Sequence, residues 1–206
     1  MSADNPIVFV VDDDFRVREA LTSLIASIGL QVAAYGSAAE FLEAAKPDAP
    51  ACLVLDLELP GTSGLELQKE LGAGNGPPIV FITGHGDVPS SVRAMKGGAM
   101  EFLSKPFGEE ELLQAIHAAI AKDREDREKR SELAELQKHY ELLTPREREV
   151  LPLVVAGLPN KLTAAELGTS EITIGVHRGQ VMRKMGARSL AELVRMADKL
   201  GIAREN

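Results

Sequence analysis

Five polar residues in the first half of the chain could together bind a metal ion and a phosphoryl group. They are Asp12, Asp13, Asp56, Thr83 and Lys105, and each lies at or just after the C-terminal end of an apolar run. Carboxylate oxygens are good Mg²⁺ ligands, a hydroxyl can donate to a phosphoryl oxygen, and an ammonium group can pair with its charge. A carboxylate in such a pocket could itself accept a phosphoryl group once the charge between them is neutralised.

The elements that must position these residues are strands alternating with helices. The apolar runs span residues 7–11, 31–35, 52–55, 79–82 and 100–103, and a helical pattern follows each of them. Gly29 is placed to end the first helix and Ser37 to cap the second. This alternation predicts an α/β domain with a doubly wound, five-stranded parallel sheet. The C-terminal ends of parallel strands share one sheet edge, so the five residues should meet there.

Charge divides the chain into segments with different properties. The net charge is −8, made up of about −10 for residues 1–120, about −1 for 121–141 and about +3 for 142–206. We therefore expect two domains with different partners. The basic excess of the second segment is small, so it permits nucleic-acid binding without requiring it.

Several classes of protein do not fit the composition. Cys52 is the only cysteine, which rules out a disulfide framework and suits a reducing cytosol. Its apolar surroundings favour a small core residue over a reactive thiol. No apolar stretch approaches the ~20 residues of a membrane span, and residues 1–6 lack the basic region of a signal peptide. We expect a cytoplasmic chain without a membrane partner.

The segment 121–141 is predicted to be a helical linker. Its first half is almost entirely charged with mixed signs, which favours a solvated helix over a flexible tether. Leu133, Leu136, Tyr140 and Leu143 then follow at a spacing of 3-4-3. This stripe could form a short coiled-coil seam between two chains, or it could pack on the chain's own second domain.

Residues 142–206 show a purely helical pattern. Thr144, Pro145 and Glu147 have the types and spacing of a capped helix start. A short helix near residues 160–167 is followed by a turn at Gly168 and a helix over 171–185, and the last helix begins at Leu190. Two helices joined by such a turn predict a helix-turn-helix domain.

The first domain resembles the receiver domain of two-component response regulators over residues 6–120. The motifs that carry the resemblance are Val10-Val11-Asp12-Asp13, Leu55-Asp56 with Pro60-Gly61 and Gly64, Thr83-Gly84, and Phe102-Leu103-Ser104-Lys105-Pro106. The resemblance implies that Asp56 accepts phosphate from a sensor histidine kinase. It further implies a Mg²⁺ ion held by Asp13, Asp56 and the Glu58 carbonyl, and a cis Lys105–Pro106 peptide bond. Asp12 could position a metal-bound water.

Some neighbouring residues allow two interpretations. Asp14 fits a helix cap better than a metal ligand. Phe102 matches the family's aromatic switch position, although an ordinary core phenylalanine would show the same pattern. Glu58 and His85 lie two residues beyond Asp56 and Thr83, and in the family these positions influence phosphate loss. We expect them to tune the lifetime of the phosphorylated state.

The second domain resembles the LuxR-type helix-turn-helix of the NarL/FixJ regulators. The matching residues include Leu143-Thr144-Pro145-Arg146-Glu147, Asn160-Lys161, Val176-His177-Arg178 and Met182-Arg183-Lys184-Met185. Periodicity turns Ile174, Val181 and Met185 inward and Ile172, Gly175, Val176, Gly179 and Arg183 outward. The resemblance implies DNA contacts from Lys161, Thr173, Gly175, Val176, Arg178, Gly179, Arg183 and Lys184.

Two glycines depart from the family pattern. Position 175 is commonly Lys and position 179 commonly Asn or Lys, but this chain has Gly175 and Gly179. Together they cost roughly 2 kcal/mol of helix propensity and remove side chains that could reach base edges. Either the helix tolerates them and Arg178, Gln180 and Arg183 carry recognition, or DNA binding is weak or altered.

The combined pattern predicts a phosphorylation-activated transcription regulator. Phosphorylation of Asp56 would promote a homodimer that binds a two-fold-related site in double-stranded promoter DNA. The alternative is a signalling adaptor or phosphate sink with weak or altered DNA binding. A metal-dependent enzyme is not favoured, because the sequence offers neither a general base nor a separate substrate cavity.

Overall fold

The computed structural model describes residues 5–72, 76–84 and 88–202 and divides into two compact units. The first unit ends at Arg127 and the second begins at Glu128. Among the described residues of the first unit, the strands form one parallel sheet in the order β2-β1-β3-β4-β5. They are β1 (Ile7–Val11), β2 (Gln31–Tyr35), β3 (Ala51–Asp56), β4 (Ile79–Thr83) and β5 (Glu101–Ser104). The predicted doubly wound sheet is confirmed.

Helices cover both faces of this sheet because the strand side chains alternate between two apolar cores. On one face Phe9, Leu53 and Phe81 pack with the helices α2 (Ala38–Glu43), α3 (Gly64–Leu71) and α4 (Val88–Lys96). On the other face Val10 and Val54 pack with α1 (Phe15–Ser27) and the first part of α5 (Glu109–Glu141). β1, β3 and β4 are buried along their whole length, which explains their continuous apolar sequences.

The helix α5 differs from its prediction in extent. The expected receiver helix and the expected linker at 121–141 form one element, α5, of 33 residues. Its charged stretch is not solvated throughout, because Asp123 is buried. The Asp123 carboxylate accepts hydrogen bonds from the Ala51 backbone N–H and from Arg127 Nε, both at 2.8 Å. Arg127 also pairs with Asp48, so this part of α5 is anchored at the start of β3.

The second unit is helical and has its own core. It contains the end of α5, α6 (Pro145–Val155), α7 (Asn160–Glu166), α8 (Glu171–Met185) and α9 (Leu190–Lys199). Thr144 and Glu147 form the predicted capping box at the start of α6. Leu143 lies in the apolar core and Tyr140 packs against it, whereas Leu133 is exposed. The second half of the stripe therefore packs on its own unit.

Within the described part of the chain, none of the helices combines the length and apolar character needed to cross a membrane. The longest, α5, is rich in charged residues.

Candidate functional site

The five polar residues singled out in the sequence lie along the C-terminal edge of the sheet. Asp12 directly follows β1, Asp56 and Thr83 are the last residues of β3 and β4, and Lys105 directly follows β5. Asp12, Asp56 and Thr83 are buried, whereas Asp13 is exposed. Direct contacts bring Lys105 together with Asp12 and Asp56, which are far apart from it in the sequence.

Lys105 bridges the two buried carboxylates. Its Nζ donates to Asp12 Oδ2 at 2.7 Å and to Asp56 Oδ2 at 3.1 Å. The other oxygens are held by the backbone: Asp12 Oδ1 accepts from the Asp14 N–H, and Asp56 Oδ1 accepts from the Glu58 N–H. Asp56 is thus oriented by two contacts while its side chain remains 9% exposed.

Burial and charge act against each other at this site. Burial raises the pKa of the Asp56 carboxyl, and the nearby Asp12 charge adds to this rise, although hydrogen bonding to Lys105 lowers it. Burial also tends to lower the pKa of Lys105, but the hydrogen bonds and charges of Asp12 and Asp56 outweigh it and raise that pKa. Lys105 stays protonated, and the pocket retains more acidic than basic groups. A cation bound there would offset this excess.

The acidic groups have a geometry that fits a divalent cation. Asp12, Asp13 and Asp56 each offer a carboxylate oxygen, and these atoms lie within 4.8 Å of one another. Asp13 is exposed, so the cluster opens to solvent, as Mg²⁺ requires because it usually keeps several of its waters. The main chain of Glu58 reaches the same cluster through its N–H bond to Asp56.

Gly64 allows the start of α3 to approach the end of β3. A Cβ at this position would lie 2.4 Å from the Asp56 carbonyl oxygen and 3.1 Å from Leu57 Cα. The first contact is shorter than real Cβ atoms make, the second is tighter than most of them, and both involve backbone that cannot move aside cheaply. A capping box between Ser63 and Glu66 fixes the first turn of the same helix. Gly64 is therefore required by close packing beside Asp56.

Other residues near the pocket are placed as follows. Asp14 is the N-cap of α1 and accepts from the Arg16 N–H, which confirms the cap interpretation. The Lys105–Pro106 peptide bond is cis, in agreement with the resemblance. Phe102 is half-buried, and its ring centroid lies 6.3 Å from that of Phe81. This is core packing, and the switch role stays a prediction. His85 lies outside the described residues.

The helix α8 divides into a buried and an exposed face, as predicted. Ile174, Val181 and Met185 are fully buried. Ile172 is 83% exposed and Val176 is 59% exposed. The remaining residues predicted to face outward, Gly175, Gly179 and Arg183, are also exposed.

Several side chains predicted to contact DNA make hydrogen bonds within the chain. Arg178 donates to the Leu158 carbonyl at 3.3 Å and to Asn160 Oδ1 at 3.1 Å. Lys184 pairs with the buried Glu147 at 2.7 Å. Their DNA contacts remain predictions, and the internal bonds compete with them.

The remaining predicted DNA contacts differ in their surroundings. Thr173 shares a hydroxyl hydrogen bond with Ser170, the N-cap of α8. Arg183 is exposed and donates to Gln180 on the preceding turn. Lys161 is exposed at the start of α7.

Together these units define a class of protein: a doubly wound α/β domain with an acidic pocket at the C-terminal edge of its sheet, followed by a helix-turn-helix domain. Comparison with known proteins agrees with both parts. Residues 8–117 match the model of the response regulator receiver domain, and residues 141–197 match that of the bacterial regulatory proteins of the luxR family. The chain belongs to the response regulators with a LuxR-type output domain.

Characterised relatives span almost the whole chain. Nodulation protein W of Bradyrhizobium diazoefficiens is 56% identical over 198 residues, which is 96% of this chain and 87% of the relative. The transcriptional regulatory protein FixJ of Azorhizobium caulinodans is 47% identical over 95% of this chain and 93% of its own length.

Solved structures support the same assignment. The structure of response regulator StyR is 49% identical, with a TM-score of 0.82, and covers 95% of this chain and 99% of StyR. Full-length FixJ from B. japonicum is 39% identical, with a TM-score of 0.55, over 96% of this chain and 98% of FixJ.

Proposed function

We propose that a sensor histidine kinase phosphorylates this chain on Asp56 and that the phosphorylated form binds promoter DNA. The observation that carries the proposal is the Asp56 carboxylate at the end of β3, held 3.1 Å from Lys105 Nζ and grouped with Asp12 and Asp13. This arrangement supports the proposal, because phosphoryl transfer needs a nucleophile, a cationic partner and an acidic cluster close together. The relatives named as transcriptional regulators support the output.

In the proposed transfer, an Asp56 carboxylate oxygen attacks the phosphorus of a phosphohistidine. A P–O bond forms, the P–N bond breaks, and the released imidazole takes up a proton. Lys105 pairs with the phosphoryl oxygens, and the Thr83 hydroxyl at the end of β4 donates to one of them. Mg²⁺, held by Asp13, Asp56 and the Glu58 carbonyl, would offset the negative charge between nucleophile and phosphoryl group.

We propose that phosphorylation favours a homodimer. The helix α4 supports this, because Val88, Val92 and Met95 form an exposed stripe at i, i+4 and i+7. Their exposed fractions are 75%, 44% and 46%, so the stripe offers apolar surface to a second copy. A dimer would present two copies of α8 to a two-fold-related DNA site.

The second candidate function is a signalling adaptor or phosphate sink with weak or altered DNA binding. It is favoured by Gly175 and Gly179, which offer no side chain at two exposed positions in the middle of α8, and by the internal bonds of Arg178 and Lys184. In either case we propose that the chain acts in the cytoplasm and is not an enzyme in its own right, with its chemistry limited to accepting and losing phosphate.

DNA titration separates the two candidates. Fluorescent duplexes from the promoter regions adjoining the chain's own gene would be titrated with untreated protein and with protein treated with a small-molecule phosphodonor, at several salt concentrations. A regulator should show a sequence preference that strengthens on treatment, and Asp56→Asn should abolish the strengthening. Equal, weak binding controlled by salt alone would favour the adaptor.

A further inference from the structure

The first half of α8 presents an apolar surface where a recognition helix normally presents hydrogen-bonding groups. Ile172 and Val176, one turn apart, are 83% and 59% exposed. Gly175 and Gly179 lie beside them on the same face and are also exposed. In a helix-turn-helix unit this N-terminal half is the part that contacts base edges in the major groove.

Polar side chains nearby are already committed to bonds within the protein. Thr173 Oγ1 lies 2.7 Å from Ser170 Oγ, and its backbone N–H is bound by the same hydroxyl. The Arg178 guanidinium is directed to Leu158 and Asn160. Gln180 and Arg183 lie in the second half of the helix, where Arg183 donates a hydrogen bond to Gln180.

Neither glycine is required by the fold of its own unit. A Cβ on Gly175 would meet only Asn160 Nδ2, at an ordinary 3.7 Å, and a Cβ on Gly179 would meet nothing within 4 Å. Neither has a positive φ. Since both glycines lower helix propensity, the fold does not explain them. A glycine on an exposed face does allow another molecule to approach the backbone closely.

We propose that α8 reads thymine methyl groups through Ile172 and Val176, and that Gly175 and Gly179 let the helix lie deep enough in the major groove to reach them. This rests on the proposed DNA-binding function and adds the class of base that is read. The thymine C5-methyl is the apolar group that base edges offer in the major groove. The glycines remove the side chains that would hold the helix away from it.

The test removes the methyl group from the DNA and leaves base pairing unchanged. The 206-residue chain, treated with a small-molecule phosphodonor, would select duplexes from a pool with a randomised centre. The selected duplex would then be remade with deoxyuridine at single thymine positions. We expect binding to weaken about fourfold for each contacted methyl, as burial of one methyl-sized group implies.

Protein variants test which side chain contacts the thymine methyl group. With Val176→Ala, the thymine and deoxyuridine duplexes should bind equally at the contacted position. This variant should fold, because Val176 is exposed and alanine favours helix. Leu142→Ala is a matched control, since Leu142 is 61% exposed and lies outside α8, and it should keep the fourfold ratio.

The possible failures are distinguishable. If the protein selects a sequence but deoxyuridine has no effect at any position, the methyl reading is overturned while DNA binding stands. If Val176→Ala and Ile172→Ala both keep the full thymine preference, these residues are not the readers. If no sequence is selected, both the methyl reading and the proposed regulator are wrong.

Discussion

Lys184 provides a sharp test of how the second unit is built, because structure and sequence resemblance assign it different roles. The resemblance implies a phosphate contact on DNA. In the structure its Nζ lies 2.7 Å from Glu147 Oε2, and the side chains are 22% and 5% exposed. We predict that Lys184→Met destabilises the unit and leaves the salt dependence of DNA binding unchanged.

The expected loss of stability in Lys184→Met depends on the hydrogen bonds that Glu147 retains. Removing one partner of a fully buried ion pair costs about 3–5 kcal/mol. Here the Glu147 carboxylate still accepts from the Thr144 N–H at 2.8 Å, and Lys184 is partly exposed, so water can replace some of the lost interaction. We expect a loss of about 1–3 kcal/mol, which corresponds to an equilibrium constant for local opening that is roughly five- to 150-fold larger.

Hydrogen exchange read by mass spectrometry in the 206-residue chain measures the loss of stability separately in each helix and strand. Amide protection in α6 and α8 should fall by the stated factor, while protection in β1 and β3 stays unchanged. Lys161→Met is the matched control, since Lys161 is exposed. It should keep full protection and lower the salt slope of DNA binding by about one. Unchanged protection in Lys184→Met, together with a reduced salt slope, would refute the structural role.

Three further predictions concern buried contacts. The pKa of the Glu147 carboxyl is lowered, because hydrogen bonds from Lys184 and Thr144 outweigh its burial. The ionised Glu147 carboxylate therefore contributes fully to the free energy of unfolding above its ordinary pKa of 4.5. This contribution is lost as the pH falls through the lower pKa of the folded state. Denaturant titrations monitored by the Ile174 methyl NMR signal should show that the free energy of unfolding falls at acid pH. The same measurement on Glu147→Gln should show a weaker pH dependence. Gly64→Ala should destabilise the first unit by about 1–3 kcal/mol in denaturant titrations, whereas Gly84→Ala, with nothing near its added Cβ, should not. Asp123→Ala should cost about 1–3 kcal/mol and speed amide exchange at Ala51, and equal exchange would show that this anchor is dispensable.

Local sequence patterns predicted the elements and the strand ends well. The apolar runs ending near Asp12, Asp56 and Thr83 became buried strands because alternation with helices leaves few ways to bury them. The caps at Ser37 and Thr144 formed as expected, since each bond lies within one helical turn.

Apart from the meeting of the strand-end residues, contacts between distant residues were not visible in the sequence. Asp123 lies in a highly charged run, where nothing marks it as the residue that pairs with Ala51 across 72 positions. Glu147 was recognisable as a capping residue, but its ion pair with Lys184 depends on how α6 and α8 pack. The need for Gly64 likewise became clear only from the approach of α3 to the Asp56 carbonyl.

Phosphotransfer with site mapping is the strictest test of the proposed phosphorylation of Asp56. The chain would be incubated with Mg²⁺ and a small-molecule phosphodonor, and the modified residue located by peptide mass spectrometry. We predict one added phosphoryl group, on Asp56, and none in Asp56→Asn. If Asp56→Asn took up phosphate at the same rate as the chain with Asp56, the proposed phosphorylation of Asp56 would be wrong.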